Sequence, residues 1–263
     1  HPALAAWLAA RDLDNYFHAA SGQAATLDDA AIVRTRRAYY GLIAEIDVWI
    51  GRVIDELKRT GQWDNTLVIF TSDHGEQLGD HHLLGKLGWF DQSYHLPLII
   101  RDPSAGAARG RVVDAFTESV DILPTMLDWL GQPHPAACDG VSLLPWLGGH
   151  TPAAWRDAVH FEYDLRGGWP APRPWPDAAA IGPQAGALCA MRTRSWKYVH
   201  IAGMAPVLYD LTADPGETRN RADDPAYAGL LLEARKRMLT WRLAHGERGF
   251  THLCATPAGL VAR

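Results

Sequence analysis

An aspartate, a histidine and a lysine lie in one polar segment of the sequence, and their side chains suit chemistry on an anion. Asp73 and His74 follow a short apolar run and precede Gly75, and Lys86 comes twelve residues after His74. A carboxylate beside an imidazole can form part of a divalent-metal site. The ammonium group of Lys86 can bring positive charge to an anionic substrate. The segment therefore predicts a metal site that handles an anion.

The elements around this segment place it at the end of a strand. Residues 67–70 are four consecutive apolar residues, a pattern typical of a strand buried on both faces of a parallel sheet. In open α/β sheets, ligands bind at the carboxyl ends of strands, which is where Asp73 and His74 would stand. Gly75 lets the backbone turn sharply beneath them.

A long helix is predicted before that strand. Apolar residues recur at helical spacing from about residue 28 to residue 60, Thr26 or Asp28 can cap the helix, and Gly61 follows its end. A helix followed by a buried strand is half of a βαβ unit, which again favours a parallel sheet. A second strand is expected from residue 96 to residue 101.

The second half of the chain has a different pattern. Four short segments with strand character, joined by turns, predict a small antiparallel sheet; they are residues 159–163, 187–192, 196–201 and 207–210. A long loop rich in Pro, Gly and Trp, residues 167–186, interrupts them. Asp224 and Pro225 are suited to open a final helix.

Four sequence blocks carry a resemblance to a known family. Residues 72–86, SDHGEQLGDHHLLGK, resemble the metal-binding and anion-binding segment of the sulfatase branch of the alkaline phosphatase superfamily, and of its phosphonate monoester hydrolases in particular. Further blocks resemble the family's vDxxPTxLdxxG helix, its DGxSLxP turn and its WKYi…LYDLxxDPxExxN tail; they are residues 116–131, 138–145, 196–200 and 208–220. These blocks follow the family's order over nearly the whole chain.

The resemblance implies roles for particular residues. Asp73 and His74 would be ligands of one divalent metal ion, with Mn²⁺ favoured and Ca²⁺ as the alternative. Lys86 would be catalytic and would contact the substrate anion, with His82 as a second substrate-binding residue. Adjacent residues on an extended segment point to opposite sides, so His81 and His82 are not expected to bind one ion together. Glu76 and Gln77 are expected to fix the loop by hydrogen bonds.

The family's nucleophile is not found in this sequence. It is a formylglycine made from Cys or Ser in a C-x-P/A-x-R motif, and none of the three cysteines, Cys138, Cys189 and Cys254, stands in such a motif. We therefore interpret the chain as the C-terminal portion of a longer enzyme whose formylglycine lies upstream. The 263-residue chain alone is expected to be inactive.

Composition narrows the classes of partner. The net charge is −5 and hydrophobic residues make up 48% of the chain, so no basic field favours nucleic acid or an anionic membrane. No apolar run reaches membrane-spanning length. Scattered cysteines in odd number suit a reducing compartment, and we expect a cytoplasmic protein. The expected partner is a small anionic ester, and the full-length enzyme is expected to be a homo-oligomer.

These observations give one expectation for fold and function. The fold is α/β: residues 1–150 form the C-terminal part of an alkaline-phosphatase-like sheet flanked by helices, and residues 151–263 form a small α+β domain with an antiparallel sheet and a C-terminal helix. The expected function is metal-dependent hydrolysis of sulfate, phosphate or phosphonate esters, close to that of a phosphonate monoester hydrolase or phosphodiesterase. The alternatives are an arylsulfatase and a non-catalytic truncated or pseudoenzyme chain.

Overall fold

The computed structural model describes residues 1–2, 4–5, 28–86, 88–104, 109–135, 137–164, 187–246, 253–257 and 259–262. The main elements are α1 (Asp29–Arg59), β1 (Val68–Thr71), α2 (Asp91–Tyr94), β2 (Leu98–Arg101), α3 (Ile122–Trp129), α4 (Leu144–Leu147), β3 (Ala158–Asp164), β4 (Ala187–Thr193), β5 (Trp196–Ile201), β6 (Val207–Asp210), α5 (Ala228–Ala244), β7 (Leu253–Thr256) and β8 (Gly259–Ala262). The predicted loop at 167–186 lies outside the described residues. The predicted boundary at residue 150 stays a prediction.

The α1 helix has the predicted length and start. The Asp28 carboxylate accepts a hydrogen bond from the Ala31 N–H at 2.6 Å, which caps one of the free N–H groups of the first turn. No residue of α1 is buried against the described part of the chain. Its apolar stripe is therefore open to solvent, including Leu42, Ile46 and Val53. No helix among the described residues is both long and apolar enough to cross a bilayer.

The pairing of β1 and β2 differs from the expected parallel arrangement. The two strands are antiparallel, with Val68 opposite Arg101 and Thr71 opposite Leu98. A parallel pair needs a crossover that returns to the start of the first strand. Here the connecting residues 72–97 stay at the carboxyl end of β1, so β2 runs back along it. The parallel arrangement that the sequence favoured for the sheet is therefore not found in this pair.

The expected burial of β1 on both faces was also wrong for the described residues. Phe70 is 36% exposed, and Ile99 on β2 is 63% exposed. The described ladder has only two strands, so few neighbours exist to cover it. An apolar run indicates that a strand is suited to burial, but it does not identify the polypeptide that covers it.

The predicted antiparallel sheet of the second half is confirmed, with strand order β3-β4-β5-β6. Alternate residues of its strands enter two separate cores, as the period of two requires. One core joins the sheet to Leu83, Trp89 and Phe90 of the first half. The other joins the opposite face to Ala234 and Met238 of α5. The sheet therefore lies between α5 and the polar segment that contains the candidate site residues.

A buried aspartate holds two of the sequence blocks together. Asp121 ends the 3₁₀ turn Ser119–Asp121, immediately before α3, and is fully buried. One of its carboxylate oxygens accepts the Val141 N–H at 2.8 Å, and the Arg156 guanidinium binds both oxygens. A Cβ atom on Gly140 would lie 2.0 Å from the Val120 carbonyl oxygen, so only glycine fits there. These contacts pack the block that contains Asp121 against the block that contains Gly140.

Candidate functional site

Asp73 and His74 lie directly beyond the end of β1, where the sequence predicted them. The Asp73 side chain is 84% exposed, and its Oδ2 atom lies 3.5 Å from Nε2 of His74. The other ring nitrogen of His74, Nδ1, is 2.9 Å from the Gly75 carbonyl oxygen. A carbonyl accepts only from a protonated nitrogen, so Nδ1 carries a proton. The remaining ring nitrogen, Nε2, faces the Asp73 carboxylate.

This arrangement suits a shared cation. A metal ion bonded at about 2.0–2.2 Å to nitrogen and oxygen ligands can sit between two donors at this spacing. A His ligand that donates its second N–H to a backbone carbonyl is typical of metal centres. Asp73 and His74 would supply two ligands. Among the described residues, no group of three or more His, Cys, Asp or Glu side chains could hold a metal ion.

The charge of Lys86 acts on the same carboxylate. The pKa of Asp73 lies below its usual range, chiefly because the carboxylate accepts the His74 backbone N–H. The positive charge of Lys86 contributes to the same lowering. Asp73 therefore stays ionised, as a metal ligand must. The structure places Asp73 beside His74, and the site roles predicted for Asp73, His74 and Lys86 stay predictions.

Glu76 and Gln77 hold the loop that carries Lys86. The Glu76 carboxylate accepts the N–H of Gly85, and the Gln77 N–H donates to the Gly85 carbonyl oxygen at 2.9 Å. The Gln77 side-chain amide donates to the Ser93 hydroxyl at 2.8 Å. The prediction that Glu76 and Gln77 fix the loop by hydrogen bonds is confirmed.

His81 and His82 diverge, although not for the predicted reason. They lie in a 3₁₀ turn with φ angles of 52° and 57° and not on an extended segment. The ring of His81 stacks on Phe90 with centroids 3.6 Å apart. His82 is exposed, and no contact joins its side chain to Asp73 or Lys86 within the described structure. Its predicted role in substrate binding stays a prediction.

Sequence reasoning missed a buried lysine next to the site segment. Residues 196–201 are predicted only as a strand, but Lys197 is fully buried and its ammonium contacts Asp91 at 2.6 Å and also Glu217. Burial of a lysine requires such partners. A signal was present, since Lys197 is the one charged residue in an otherwise apolar run from 196 to 199.

Comparisons with known proteins identify the family. Residues 79–244 match the family model described as "N-sulphoglucosamine sulphohydrolase, C-terminal", and residues 8–132 match the model described as "Sulfatase". The "Multifunctional alkaline phosphatase superfamily protein" of Trinickia caryophylli is 46% identical over 95% of this chain and 48% of its own length. Choline-sulfatase of Rhizobium meliloti is 36% identical over 73% of this chain and 34% of its own length. The chain spans about half the length, or less, of these relatives.

Solved structures agree with the sequence comparisons. The phosphonate monoester hydrolase of Agrobacterium radiobacter superposes with a TM-score of 0.87 at 40% identity, covering 100% of this chain and 52% of that one. The phosphonate monoester hydrolase of Silicibacter pomeroyi gives 0.85 at 38% identity, covering 100% and 51%. The predicted α/β fold class is confirmed by these likenesses. The chain belongs to the sulfatase family within the alkaline phosphatase superfamily.

Proposed function

We propose that the chain is part of a metal-dependent hydrolase of sulfate, phosphate or phosphonate esters. The observation that carries this proposal is the placement of Asp73 and His74 side by side at the end of β1, in the same segment as Lys86. This placement pairs two metal-binding groups with a group suited to an anion. The family to which the chain belongs gives the reaction class, and the site gives the residues.

Among the substrate classes, phosphonate monoesters or phosphodiesters have the most support. The two phosphonate monoester hydrolase structures match the whole chain, with TM-scores of 0.87 and 0.85. A structure determined with D-glucosamine-2-N,6-O-disulfate as its substrate matches 77% of the chain with a TM-score of 0.65. An arylsulfatase remains the second candidate, because "Arylsulfatase K" of Gallus gallus is 36% identical over 72% of this chain.

Each site residue has a distinct task in this proposal. Asp73 and His74 hold one divalent ion, Mn²⁺ in the favoured version and Ca²⁺ in the alternative. When bound, the ion supplies Lewis-acid polarisation of a substrate oxygen. Lys86 neutralises a non-bridging oxygen of the ester as charge develops on it. His82 is a further candidate for contact with the anion.

The proposal also includes a nucleophile, a class of substrate, a cellular location and an oligomeric state. A hydroxyl of the hydrated formylglycine, a gem-diol, would attack sulfur or phosphorus and displace the alcohol or phenol of the ester, and cleavage of the resulting hemiacetal ester would release the anion and restore the aldehyde. Since no cysteine here stands in the required motif, we assign this nucleophile to the remaining length that the relatives possess. The substrate would be a small anionic ester. The complete enzyme would be a cytoplasmic homo-oligomer.

Removal of Asp73 tests the metal assignment. In the complete enzyme, Asp73→Ala should abolish activity and metal content together, because one of the two described ligands is lost. The fold should persist, since an exposed loop carboxylate leaves no core cavity. Asp64→Ala is the matched control, because Asp64 is also an exposed carboxylate, 91% exposed, and pairs with Arg101 away from His74. Metal analysis that found full occupancy in Asp73→Ala would contradict the assignment.

Turnover distinguishes the alternatives. A complete enzyme that binds the metal but hydrolyses none of the three ester classes would support the non-catalytic candidate. Higher kcat/KM for an aryl sulfate than for an aryl phosphonate monoester would favour the arylsulfatase. The proposal expects the reverse order.

A further inference from the structure

A buried group of charges connects the small sheet to the segment that bears the candidate site. Lys197 on β5 is fully buried, and its ammonium donates to the Asp91 carboxylate at 2.6 Å, to the Trp89 carbonyl oxygen at 3.0 Å and to Glu217. Arg192 on β4 binds the other side of Asp91, with Nε at 2.9 Å from Oδ2. We call Asp91, Lys197 and Glu217 the buried charge cluster.

The cluster fixes the start of α2. Asp91 is the first residue of α2, and its backbone N–H donates to the Glu217 carboxylate at 2.9 Å. Its side chain is held at the same time by Lys197. Both the backbone and the side chain of Asp91 are therefore bound by residues that lie more than 100 positions later in the chain.

The α2 helix in turn supports the site segment. The Gly75 N–H donates to the Ser93 carbonyl oxygen at 2.9 Å, and the Gln77 side chain donates to the Ser93 hydroxyl. Contact is so close that a Cβ atom on Gly75 would lie 1.9 Å from the Gln92 carbonyl oxygen. Gly75 follows His74 directly, and Gln77 binds Gly85 beside Lys86. A continuous series of contacts thus runs from the buried charge cluster to the three candidate site residues.

The buried charge cluster is better suited to positioning Asp91 than to stabilising the fold. Replacing a buried ion pair by apolar residues of similar volume is often neutral or stabilising, so charges are a poor way to strengthen a core. Glu217 also has a φ angle of 56°, a left-handed conformation that costs energy for a residue with a Cβ atom. Burial raises the pKa of Glu217, which shows the cost of keeping its charge there. The charged groups form directional hydrogen bonds, and these hydrogen bonds fix the position of Asp91.

From this arrangement we infer that Lys197 and Glu217 are positioning residues for the hydrolytic site, acting through Asp91 and α2. This inference rests on the proposed function. Neither residue can touch a substrate, because both are buried, at 0% and 2% exposure. Their effect is on the placement of Asp73, His74 and Lys86.

Hydrogen exchange tests the positioning without any need for turnover. In the 263-residue chain, Lys197→Met should speed amide exchange in residues 73–94, because Asp91 loses its buried partner. Met238→Ala is the matched control. Met238 is 5% exposed and lies in the core on the opposite face of the sheet, so this variant should lower Tm without selective exchange in 73–94. Equal exchange of 73–94 in Lys197→Met and wild type would overturn the inference.

Kinetics of the complete enzyme test the consequence. A misplacement of about 1 Å can lower a rate by about 10²-fold, so Lys197→Met should reduce kcat for an aryl phosphonate monoester on the order of 10–100-fold. Glu217→Gln keeps an acceptor for the Asp91 N–H and should lose less. Met238→Ala should keep the wild-type kcat below its melting range. A wild-type kcat in both cluster variants would overturn the inference.

The two experiments distinguish failure of the proposed function from failure of the positioning inference. A wild-type complete enzyme without turnover would refute the proposed function, while hydrogen exchange would still decide whether Lys197 positions the segment. Glu217→Gln serves both measurements if Lys197→Met does not fold.

Discussion

Lys86 is the residue whose role is most directly open to measurement. If its ammonium neutralises a non-bridging substrate oxygen, Lys86→Ala should lower kcat/KM by on the order of 10²–10³, the loss expected when one donor leaves a preorganised site. Metal content should stay at the wild-type level, because a protonated lysine has no lone pair for a metal. Lys86→Arg should restore only part of the rate, since a planar guanidinium does not reproduce a compact ammonium charge.

A second lysine provides the control for this measurement. Lys58 lies in the last turn of α1, over the ring of Trp63, and does not approach the site segment through any contact in the described structure. Lys58→Ala should therefore keep the wild-type kcat/KM. Steady-state kinetics on an aryl phosphonate monoester that gave wild-type values for Lys86→Ala would make Lys86 an ordinary surface lysine.

Single residues were predictable where a local pattern reports their chemistry. Asp73 and His74 are polar residues directly after an apolar run, and their placement follows from sequence order alone. Lys197 and Glu217 are different, because their importance comes from contacts with Asp91, which is far away in the sequence. No residue close to Lys197 in the sequence indicates that Asp91 and Glu217 are its partners. The sequence therefore predicts Asp73 and His74 as candidate site residues, but it does not predict the contacts of Lys197 and Glu217 with Asp91.

At the scale of elements, the close packing around Gly140 predicts that one added methyl group lowers the free energy of unfolding. In Gly140→Ala the new Cβ atom would overlap the Val120 carbonyl oxygen at 2.0 Å, next to the buried Asp121. Overpacking of this kind costs about 1–3 kcal/mol in the free energy of unfolding. Gly41→Ala is the matched control, because no atom lies within 4 Å of its Cβ position and Gly41 is inside α1.

The control variant should change stability in the opposite direction. Alanine is favoured over glycine inside a helix by about 0.5–1 kcal/mol, so Gly41→Ala should raise Tm or leave it unchanged. Thermal unfolding followed by circular dichroism measures both variants. A Tm for Gly140→Ala at or above that of the wild type would contradict the close packing of the two blocks.

The Asp91 carboxylate at the start of α2 should make the free energy of unfolding depend on pH. Burial acts to raise the pKa of Asp91, but the charges of Lys197 and Arg192 outweigh it, so the pKa lies below its usual range. A carboxylate with a lower pKa in the folded chain stabilises the fold above its unfolded pKa, about 3.9, and loses this contribution as pH falls through the folded pKa. Asp91→Asn should therefore be less stable at pH 7 and should show a flatter decline in acid.

The contribution of Glu217 to stability should change with pH in the opposite direction to that of Asp91. Its pKa is raised, chiefly by burial, with the charge of Lys197 opposing. Such a group contributes stability below its unfolded pKa and loses it as pH rises through the folded pKa. Glu217→Gln should remove that loss. Urea unfolding over a series of pH values measures both variants, and identical pH dependence in Asp91→Asn and wild type would be the contrary result.

Elements were predicted better than their pairing. The bounds of α1, the four strands of the small sheet and the start of α3 agree with the local patterns of capping, alternation and proline. The antiparallel direction of β2 relative to β1 was not predicted, because the segment between them depends on contacts far from either strand in the sequence. Those contacts involve residues as distant as Ser93 and Glu217. Local periodicity contains no information about them.

At the scale of the whole molecule, large apolar residues remain on the surface of the first half. They lie on α1, on the β1–β2 ladder and on α3, and include Ile46 at 55%, Ile99 at 63% and Leu123 at 50% exposure. Exposed apolar residues mark a place where other polypeptide binds when they form a contiguous patch. The relatives in the family have about twice the length of this chain.

The 263-residue chain should show no measurable hydrolysis of aryl sulfates, phosphate diesters or phosphonate monoesters. Asp73 and His74 supply two ligands, and such a pair does not complete the six to eight ligands that Ca²⁺ takes. We also expect only weak Mn²⁺ or Ca²⁺ binding by isothermal titration calorimetry. Turnover by this purified chain that disappeared in Asp73→Ala would require a different mechanism.

The long separation between Asp91 and its partners has a consequence for biosynthesis. The Glu217 carboxylate that receives the Asp91 N–H is encoded 126 residues later. At translation rates of about 5–20 residues per second, this interval lasts on the order of 6–25 s. Throughout this interval the growing chain lacks the Glu217 contact to Asp91. A polypeptide truncated before Glu217 would contain Asp73, His74 and Lys86 but not the carboxylate that binds the Asp91 N–H.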